Sequence, residues 1–198
     1  MVVNWTFLTN YNLKFDLLRK GEEKEVIETC YSPLIKTLDD LGIKSAHAFT
    51  GWSLEETEKQ APESLEKLKK MLDKENAELV AHTYGHPILT MLPMWEGEAQ
   101  IKRGLDVEKR VFGRQSTGFY PPEWCFDHTL PHLAKKNGLE WMVLVEANVV
   151  GAYGVRQKDV LKPKKVEGIF ESEIPCVFIY GGKDLSLRNQ MYSVLEGR

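Results

Sequence analysis

The sequence predicts an α/β fold in which a mainly parallel sheet curls into a barrel. Short apolar runs alternate five times with charged stretches of helical periodicity, as in βαβ units with right-handed crossovers. The strands are short and evenly spaced, which favours a barrel over an open, doubly wound sheet. A full eight-fold barrel takes about 250 residues. The 198 residues therefore predict one (β/α)-barrel-like domain over 1–198 that is incomplete, a smaller relative or truncated at its C-terminus.

Six apolar runs are the predicted strands. The fifth is almost wholly apolar, which is typical of a strand buried on both faces. A small, flexible stretch over 147–154 and a polar, basic turn region over 158–165 separate it from the sixth. The predicted strands cover residues 5–9, 45–50, 78–81, 118–120, 141–145 and 174–180.

Helical stripes lie between these strands. The first runs over 20–41, and Pro33 is expected to kink or split it because proline removes a helix hydrogen bond. Ser53 and Glu56 have the order of a capping box, which predicts a helix that opens at Ser53. The remaining predicted helices start at Pro62, cover 96–113, and run from an Asp127 cap to Gly138.

The composition excludes several classes of protein. The 42% hydrophobic and 28% charged residues are ordinary for a chain with a sizeable core, unlike a disordered chain. No apolar run approaches the roughly 18 residues of a membrane span. A net charge of −3 gives no basic field for a nucleic acid. Three scattered cysteines and no visible secretory signal favour the cytoplasm; the sequence does not indicate an oligomeric state.

Functional groups in parallel α/β folds lie on the loops that follow the carboxyl ends of the strands. That rule selects four loops, and we expect all four to line one cavity. They are residues 10–12, 50–52, 82–86 and 121–124.

Two histidines in the third of these loops are the strongest local signal. His82 and His86, four residues apart, are able to bind a metal or to hold sugar hydroxyls and a carboxylate. The alternative is that they only pack against Trp95 or Tyr84. A second pair, His128 and His132, shares a helix face and is expected to be solvated or satisfied.

Glu123 is the second signal, because it follows two prolines in aromatic surroundings, with Phe119, Tyr120, Trp124 and Phe126 nearby. Burial there raises a carboxyl pKa and a neighbouring cation lowers it. Aromatic platforms around a carboxylic acid suit carbohydrate. The alternative is a glutamate that pairs with a lysine at the rim of the sheet.

Taken in order, these segments make the sequence resemble glycoside hydrolase family 57 from about Asn10 to Val145. The Pro-Glu segment that ends at Glu123 is the most specific element of the resemblance. The segments that carry it are 12–15, 31–34, 50–55, 61–63, 78–80, 84–89, 112–113, 118–123 and 138–141.

The resemblance implies an incomplete, seven-stranded (β/α) barrel that acts on α-glucans with retention of configuration, without a cofactor. Members are amylases, glucanotransferases or branching enzymes. It places Glu123 where the family keeps its nucleophile and His86 in a substrate-contacting motif. The substrate-binding residues predicted from the loops and the resemblance together are Asn10, Trp52, His82, Tyr84, His86, Trp95 and Trp124.

The sequence departs from the family at two places. The histidine of the family's first motif is absent from the corresponding stretch, Thr9 to Phe15. The family's acid/base is an aspartate in a later motif, for which Asp184 is the nearest candidate and Glu146 a poorer one.

Two alternatives to a glycosidase stay open. The run from His82 to His86 also fits the metal motif of polysaccharide deacetylases, although only Asn10, Asn12 and Asp16 follow the first strand where those enzymes carry two aspartates. The other alternative is a non-catalytic relative that keeps the sugar cleft without a complete catalytic pair.

Overall fold

The computed structural model describes residues 7–16, 21–145 and 163–179, and the structural statements below concern those ranges. Their strands form one sheet in the order β1-β2-β3-β4-β5-β7-β6. All neighbours in it are parallel except β6, which runs antiparallel to β7. The strands are β1 (Phe7–Tyr11), β2 (Ser45–Phe49), β3 (Ala77–Ala81), β4 (Gly118–Phe119), β5 (Trp141–Val145), β6 (Lys164–Glu167) and β7 (Glu173–Ile179).

Helices connect the strands as the alternating pattern predicts. None of the helices in the described ranges is long and apolar enough to cross a membrane. Short 3-10 turns at Leu89–Met91 and Pro122–Trp124 flank the candidate site. The α-helices are α1 (Leu13–Asp16), α2 (Glu23–Val26), α3 (Ser32–Asp40), α4 (Gly51–Gln60), α5 (Pro62–Asp73), α6 (Met94–Phe112) and α7 (Leu130–Lys136).

Pro33 was expected to kink or split the first helix, and the structure shows a local widening of the helix just before it. A π-helical turn over Ile27–Tyr31 joins α2 to α3 and ends two residues before the proline. Because Pro33 has no N–H, it cannot donate to the carbonyl one turn earlier, and the wider turn lies where that bond would form.

Helix α4 begins earlier than the capping-box pattern predicts. Thr50 is its N-cap residue, and the Thr50 side chain accepts a hydrogen bond from the Ser53 N–H. Ser53 lies inside the first turn instead of capping it. The predicted N-cap, Ser53, was wrong by three residues because Thr50 supplies the capping hydroxyl one turn sooner.

Residues 164–167 correct the prediction of a turn region over 158–165. They form β6, an edge strand whose partner in the described sheet is β7. Among them only Val166 is buried, at 2% exposure, while the lysines and the glutamate remain accessible. An edge strand needs few buried side chains, so its charged composition resembles that of a turn. The predicted flexible stretch over 147–154 lies outside the described residues.

The two faces of the sheet have different neighbours. One face packs against the helices and carries large side chains such as Tyr11, Phe49 and Phe119. The other face holds a separate apolar cluster to which no residue of α1–α7 contributes; we call it the inner face. In the described ranges the helices thus cover one face only, as expected of a barrel and not of a doubly wound sheet, and the predicted fold is confirmed. Ala46, Ala48, Val80, Tyr120 and Val143 form the inner cluster, with Leu8, Trp124 and Trp141 packed against it.

Candidate active site

The loops after β3 and β4 meet on the inner face because these two strands are neighbours. His82 directly follows β3 and Tyr120 directly follows β4, where the Tyr120 N–H donates to the Ala81 carbonyl at 2.9 Å. The His82 and Tyr120 rings stack with centroids 4.4 Å apart. The third and fourth predicted loops therefore belong to one site.

His82 is buried in one defined tautomer. Its Nδ1 lies 2.6 Å from the Tyr120 carbonyl oxygen. A carbonyl only accepts, so Nδ1 carries the hydrogen and donates it, which leaves Nε2 as a bare acceptor. Burial, with a smaller contribution from His86, lowers the pKa of His82 to about 3. The His82 ring is therefore neutral across the physiological range.

His86 and Glu123 face each other across the site. The His86 Nδ1 lies 3.7 Å from Glu123 Oε1, and the His86 ring is 4.6 Å from that of His82. Burial is the main effect on His86 and lowers its pKa; the Glu123 charge opposes this and the Lys14 charge adds to it. Within the described residues, the titratable side chain that faces Glu123 is thus a histidine whose lowered pKa favours its neutral form, and not the lysine of the alternative interpretation.

Glu123 is accessible where its partner is not. Its side chain is 46% exposed, whereas that of His86 is 3% exposed. The Glu123 carboxylate is therefore not buried within its aromatic surroundings. Glu123 lies in the 3-10 turn over Pro122–Trp124, and its exposed carboxylate is accessible to a ligand.

The loops after β3 and β4 both contain non-glycine residues with left-handed, strained backbone. Thr83 and His86 have φ values of 67° and 57°, and Glu123 and Trp124 have 55° and 56°. Non-glycine residues in this left-handed region cost on the order of 1–3 kcal/mol each, and such strain concentrates at functional sites. Thr83 is the clearest case, since a β-branched residue is rarely left-handed.

Fewer aromatic rings surround Glu123 than the sequence predicts. Tyr120 and Trp124 contact each other with ring centroids 4.4 Å apart. Phe119 points to the opposite, helix-covered face of the sheet, where it is fully buried, and Phe126 packs against the core cluster on that face. Alternation along β4 separates Phe119 from Tyr120 and explains the difference.

The loop after β1 also approaches the site. Asn10 is exposed at the end of β1, paired in register with the small residue Ala48 on the inner face. The charge of Lys14, in α1, acts on the pKa of His86. Sequence reasoning missed Lys14, although it lies in the first-motif stretch. It also missed Thr83, whose left-handed backbone has no local signal.

Three predicted substrate residues have their described contacts elsewhere. Tyr84 donates a hydrogen bond from its hydroxyl to Glu55, and Arg103 lies 3.5 Å from the centre of its ring. Trp52 packs against the core on the helix-covered face of the sheet, and Trp95 is 71% exposed at the start of α6. Their part in substrate binding stays a prediction.

The remaining candidate residues are two carboxylates outside the described residues and the second pair of histidines. Asp184 and Glu146 lie outside the described residues, so the acid/base assignment stays a prediction. His128 is exposed, and His132 packs edge-on against Phe170 at 5.0 Å, in keeping with the solvated or satisfied role expected of them.

The deacetylase alternative needs a metal site. Within residues 7–16, 21–145 and 163–179, no group of three or more histidine, cysteine, aspartate or glutamate side chains is placed to hold a metal ion. His82 and His86 alone provide two nitrogen donors, fewer than the three protein ligands of a catalytic zinc site.

The fold and the site define a (β/α)-barrel protein with a histidine–glutamate pair at the carboxyl ends of its central strands. The sequence matches glycosyl hydrolase family 57 over residues 1–180, so the chain belongs to that family.

The relatives are considerably longer. An α-amylase of Pyrococcus horikoshii is 26% identical over 145 residues, which are 73% of this chain and 23% of the amylase. The structure of a 4-α-glucanotransferase from Thermococcus litoralis superimposes with a TM-score of 0.81 at 21% identity, covering 94% of this chain and 28% of that one. A branching enzyme from P. horikoshii gives a TM-score of 0.66 at 18% identity, covering 89% and 47%. The chain thus spans about a quarter of the first two relatives.

Proposed function

We propose that this protein acts on α-glucans as a retaining glycoside hydrolase or transglycosylase, with Glu123 as the nucleophile. One observation carries the proposal: the half-exposed Glu123 carboxylate lies 3.7 Å from the buried His86 Nδ1, where the loops of two central strands meet. Membership of the family and the names of the relatives, an α-amylase and a 4-α-glucanotransferase, support an α-glucan as the substrate.

The conformation of the Glu123 loop suits a nucleophile. The carboxylate has to be reachable by an anomeric carbon and held in one orientation, because misorientation is costly in a group-transfer step. Pro121 and Pro122 restrict the backbone just before Glu123, and the left-handed Glu123 and Trp124 hold a carboxylate that remains accessible to solvent.

The substrate is expected to contact both loops. Trp124 and Tyr120 offer apolar ring faces to a sugar, while Asn10 and His86 offer polar groups at the mouth of the inner face. We include His82 in the predicted substrate-binding set because its neutral ring packs against the ring of His86. No cofactor is needed for this chemistry.

A retaining mechanism requires a second carboxyl group. Glu123 attacks the anomeric carbon and forms a glycosyl-enzyme, while the second group protonates the leaving oxygen and later activates water or an acceptor sugar. The two carboxyl groups of retaining enzymes lie roughly 5–5.5 Å apart. We propose Asp184 for this role, with Glu146 as the alternative.

The test of the nucleophile is Glu123→Gln, which keeps the size of the side chain and removes its charge. Turnover of a maltooligosaccharide is expected to fall by several orders of magnitude, while Glu140→Gln, an exposed control, is expected to leave it unchanged. With Glu123→Ala, added azide is expected to give the β-glycosyl azide, because the azide takes the place of the missing nucleophile.

Three results contradict this proposal. Full turnover by Glu123→Gln excludes Glu123 as the nucleophile. Glucan binding by the wild type without any turnover identifies a binding protein. Metal-dependent release of acetate from an acetylated sugar, with α-glucans untouched, identifies a deacetylase.

The test of the acid/base is Asp184→Asn. Its kcat is expected to fall strongly on a maltooligosaccharide but much less on a glucoside whose leaving group needs no protonation. An equal loss on both substrates, or the selective loss in Glu146→Gln instead, removes Asp184 from this role.

A further inference from the structure

The loop that carries His86, residues 83–86, is held in an unfavourable conformation. Both of its ends are left-handed, at Thr83 and His86. Inside the loop, the His86 N–H donates to Thr83 Oγ1 at 3.2 Å. One internal bond does not hold two left-handed residues in place, so contacts from outside the loop must do so.

Helix α6 supplies the first set of contacts through Gln100. Its backbone carbonyl accepts the Tyr84 N–H at 3.0 Å, and its side-chain Oε1 accepts the Gly85 N–H, also at 3.0 Å. One turn later, Gly104 lets the loop approach the helix: a Cβ there would lie 2.9 Å from the Thr83 carbonyl oxygen. Gln100 and Gly104 together form a docking notch for the loop.

Helix α4 supplies the second set. Its first N–H groups have no partner within the helix and are available to other acceptors. The Gly51 N–H donates to the Thr83 carbonyl at 2.9 Å, and the Trp52 N–H donates to the Tyr84 carbonyl at 3.0 Å. The loop is therefore fixed between two helices, and this fixed backbone directs the His86 ring to Glu123.

We infer that Gln100 is a positioning residue of the active site, which holds the loop 83–86 so that His86 faces Glu123. Gln100 does not approach the reacting atoms itself. The inference rests on the proposed function of Glu123 and extends it to a residue on the helix side of the loop. Of the hydrogen bonds that α4 and α6 make to the loop backbone, the bond from Gly85 to the Gln100 side chain is the one that a substitution can remove, because the others join backbone atoms on both sides.

The test compares Gln100→Met with Gln100→Glu. Methionine keeps the length and the helix propensity but loses the acceptor, whereas glutamate keeps an oxygen at the same position. We expect Gln100→Met to lower kcat on a maltooligosaccharide by about 10²-fold, the scale of a misplacement of about 1 Å, with a much smaller change in KM. Gln100→Glu is expected to restore most of kcat, and the exposed control Gln60→Met is expected to match the wild type.

A second measurement does not depend on activity. Hydrogen exchange of the Gly85 amide is expected to accelerate in Gln100→Met and to stay slow in Gln100→Glu, with amides of the sheet unchanged in both. A crystal structure of Gln100→Met is expected to show His86 turned away from Glu123. If Gln100→Met does not fold, Gly104→Ala takes its place, because the added Cβ pushes the Thr83 carbonyl out of the notch.

The outcomes separate the inference from the function on which it rests. An active wild type whose kcat survives Gln100→Met, or is lost equally in Gln100→Glu, overturns the role of Gln100 and leaves Glu123 untouched. An inactive wild type overturns the proposed function, and the exchange rate of Gly85 and the position of His86 then decide the role of Gln100. Unchanged exchange and an unmoved ring overturn it.

Discussion

Three buried titratable side chains, His47, His82 and Glu108, have surroundings that disfavour a charge. His47 is bonded to the hydroxyls of Thr9, Tyr11 and Ser45, and burial lowers its pKa to about 4. His82 donates to a backbone carbonyl and is likewise neutral. In all of these cases burial is the largest effect, so the folded chain prefers the uncharged form of each group.

Glu108, the third group, gives a prediction about pH. Burial raises its pKa to about 7, although its Oε2 accepts the Ser116 N–H at 2.8 Å. Between pH 4.5 and 7 the folded chain holds a proton at Glu108 that the unfolded chain has lost, so the free energy of unfolding falls as pH rises through this window. Glu108→Gln keeps an acceptor for Ser116 and removes the charge. We expect it to stabilise the protein by about 1–3 kcal/mol at about pH 8 and little at about pH 4.5.

Denaturant unfolding at the two pH values measures this difference. Glu98→Gln, on the same helix, is a control that should leave the pH dependence unchanged, because Glu98 is only partly buried and pairs with Lys136 at the surface. Equal effects of Glu108→Gln at both pH values would show that the folded chain holds no extra proton at Glu108.

At the residue scale the sequence predicted that the polar side chains after β3 and β4 lie close together, but not their protonation or their partners. Three other predicted substrate residues have their described contacts elsewhere, so position after a strand does not by itself predict which side chains lie together. His86 and Glu123 were found from their positions after strands. The partner that sets the tautomer of His82 is the backbone carbonyl of Tyr120, 38 residues away. Every residue has such a carbonyl, so no residue type marks the one that His82 contacts.

At the scale of elements, the first turn of helix α4 is capped by a side chain and also forms hydrogen bonds with the loop that carries His86. Its N-cap, Thr50, accepts from the Ser53 N–H, while the next N–H groups hold the loop of His86. We expect Thr50→Ala to lower the free energy of unfolding by about 1 kcal/mol, the usual cost of losing an N-cap hydroxyl. Because the cap also orients those N–H groups, hydrogen exchange at Gly51 and Trp52 should accelerate.

Thermal and denaturant unfolding provide the first measurement. Thr37→Ala, an exposed threonine on α3, is the control and should change stability by much less. If Thr50→Ala and Thr37→Ala are equally stable, water replaces the cap and Thr50 contributes nothing measurable.

Helices and strands themselves were largely predictable, because their periodicity is local. The limits of β5 were predicted to the residue, and α5 begins at Pro62 as expected. Errors occur where two local signals compete, as for Thr50 and Ser53, or where a strand needs only one buried side chain, as for β6. The first strand was predicted to end at Thr9, but β1 continues to Tyr11.

For the whole molecule, the inner face contains a close contact between two neighbouring strands. Gly118 of β4 is paired with Trp141 of β5, and a Cβ at 118 would lie 2.2 Å from the Trp141 indole. The indole is rigid and part of the inner cluster, so it cannot yield without moving its neighbours. Gly118→Ala is therefore expected to destabilise the protein by about 1–3 kcal/mol, the range for overpacking a core.

A double-mutant cycle tests this contact. Trp141→Leu removes the obstacle, so the methyl added by Gly118→Ala should cost much less when both substitutions are combined. The two substitutions should then couple by at least about 0.5 kcal/mol in denaturant unfolding. Additive effects of the two changes would mean that the indole is not what excludes a side chain at position 118.

The sequence by itself determined the alternation of strands and helices, and it predicted two residues that the structure brings together in the candidate site, His86 and Glu123. These follow from apolar periodicity and chain order, which are written locally. Only the tertiary structure decided which rings surround Glu123, which tautomer His82 adopts, and how α4 and α6 hold the loop of His86. Those features depend on backbone groups and on close approaches between distant segments, and backbone groups are the same at almost every residue.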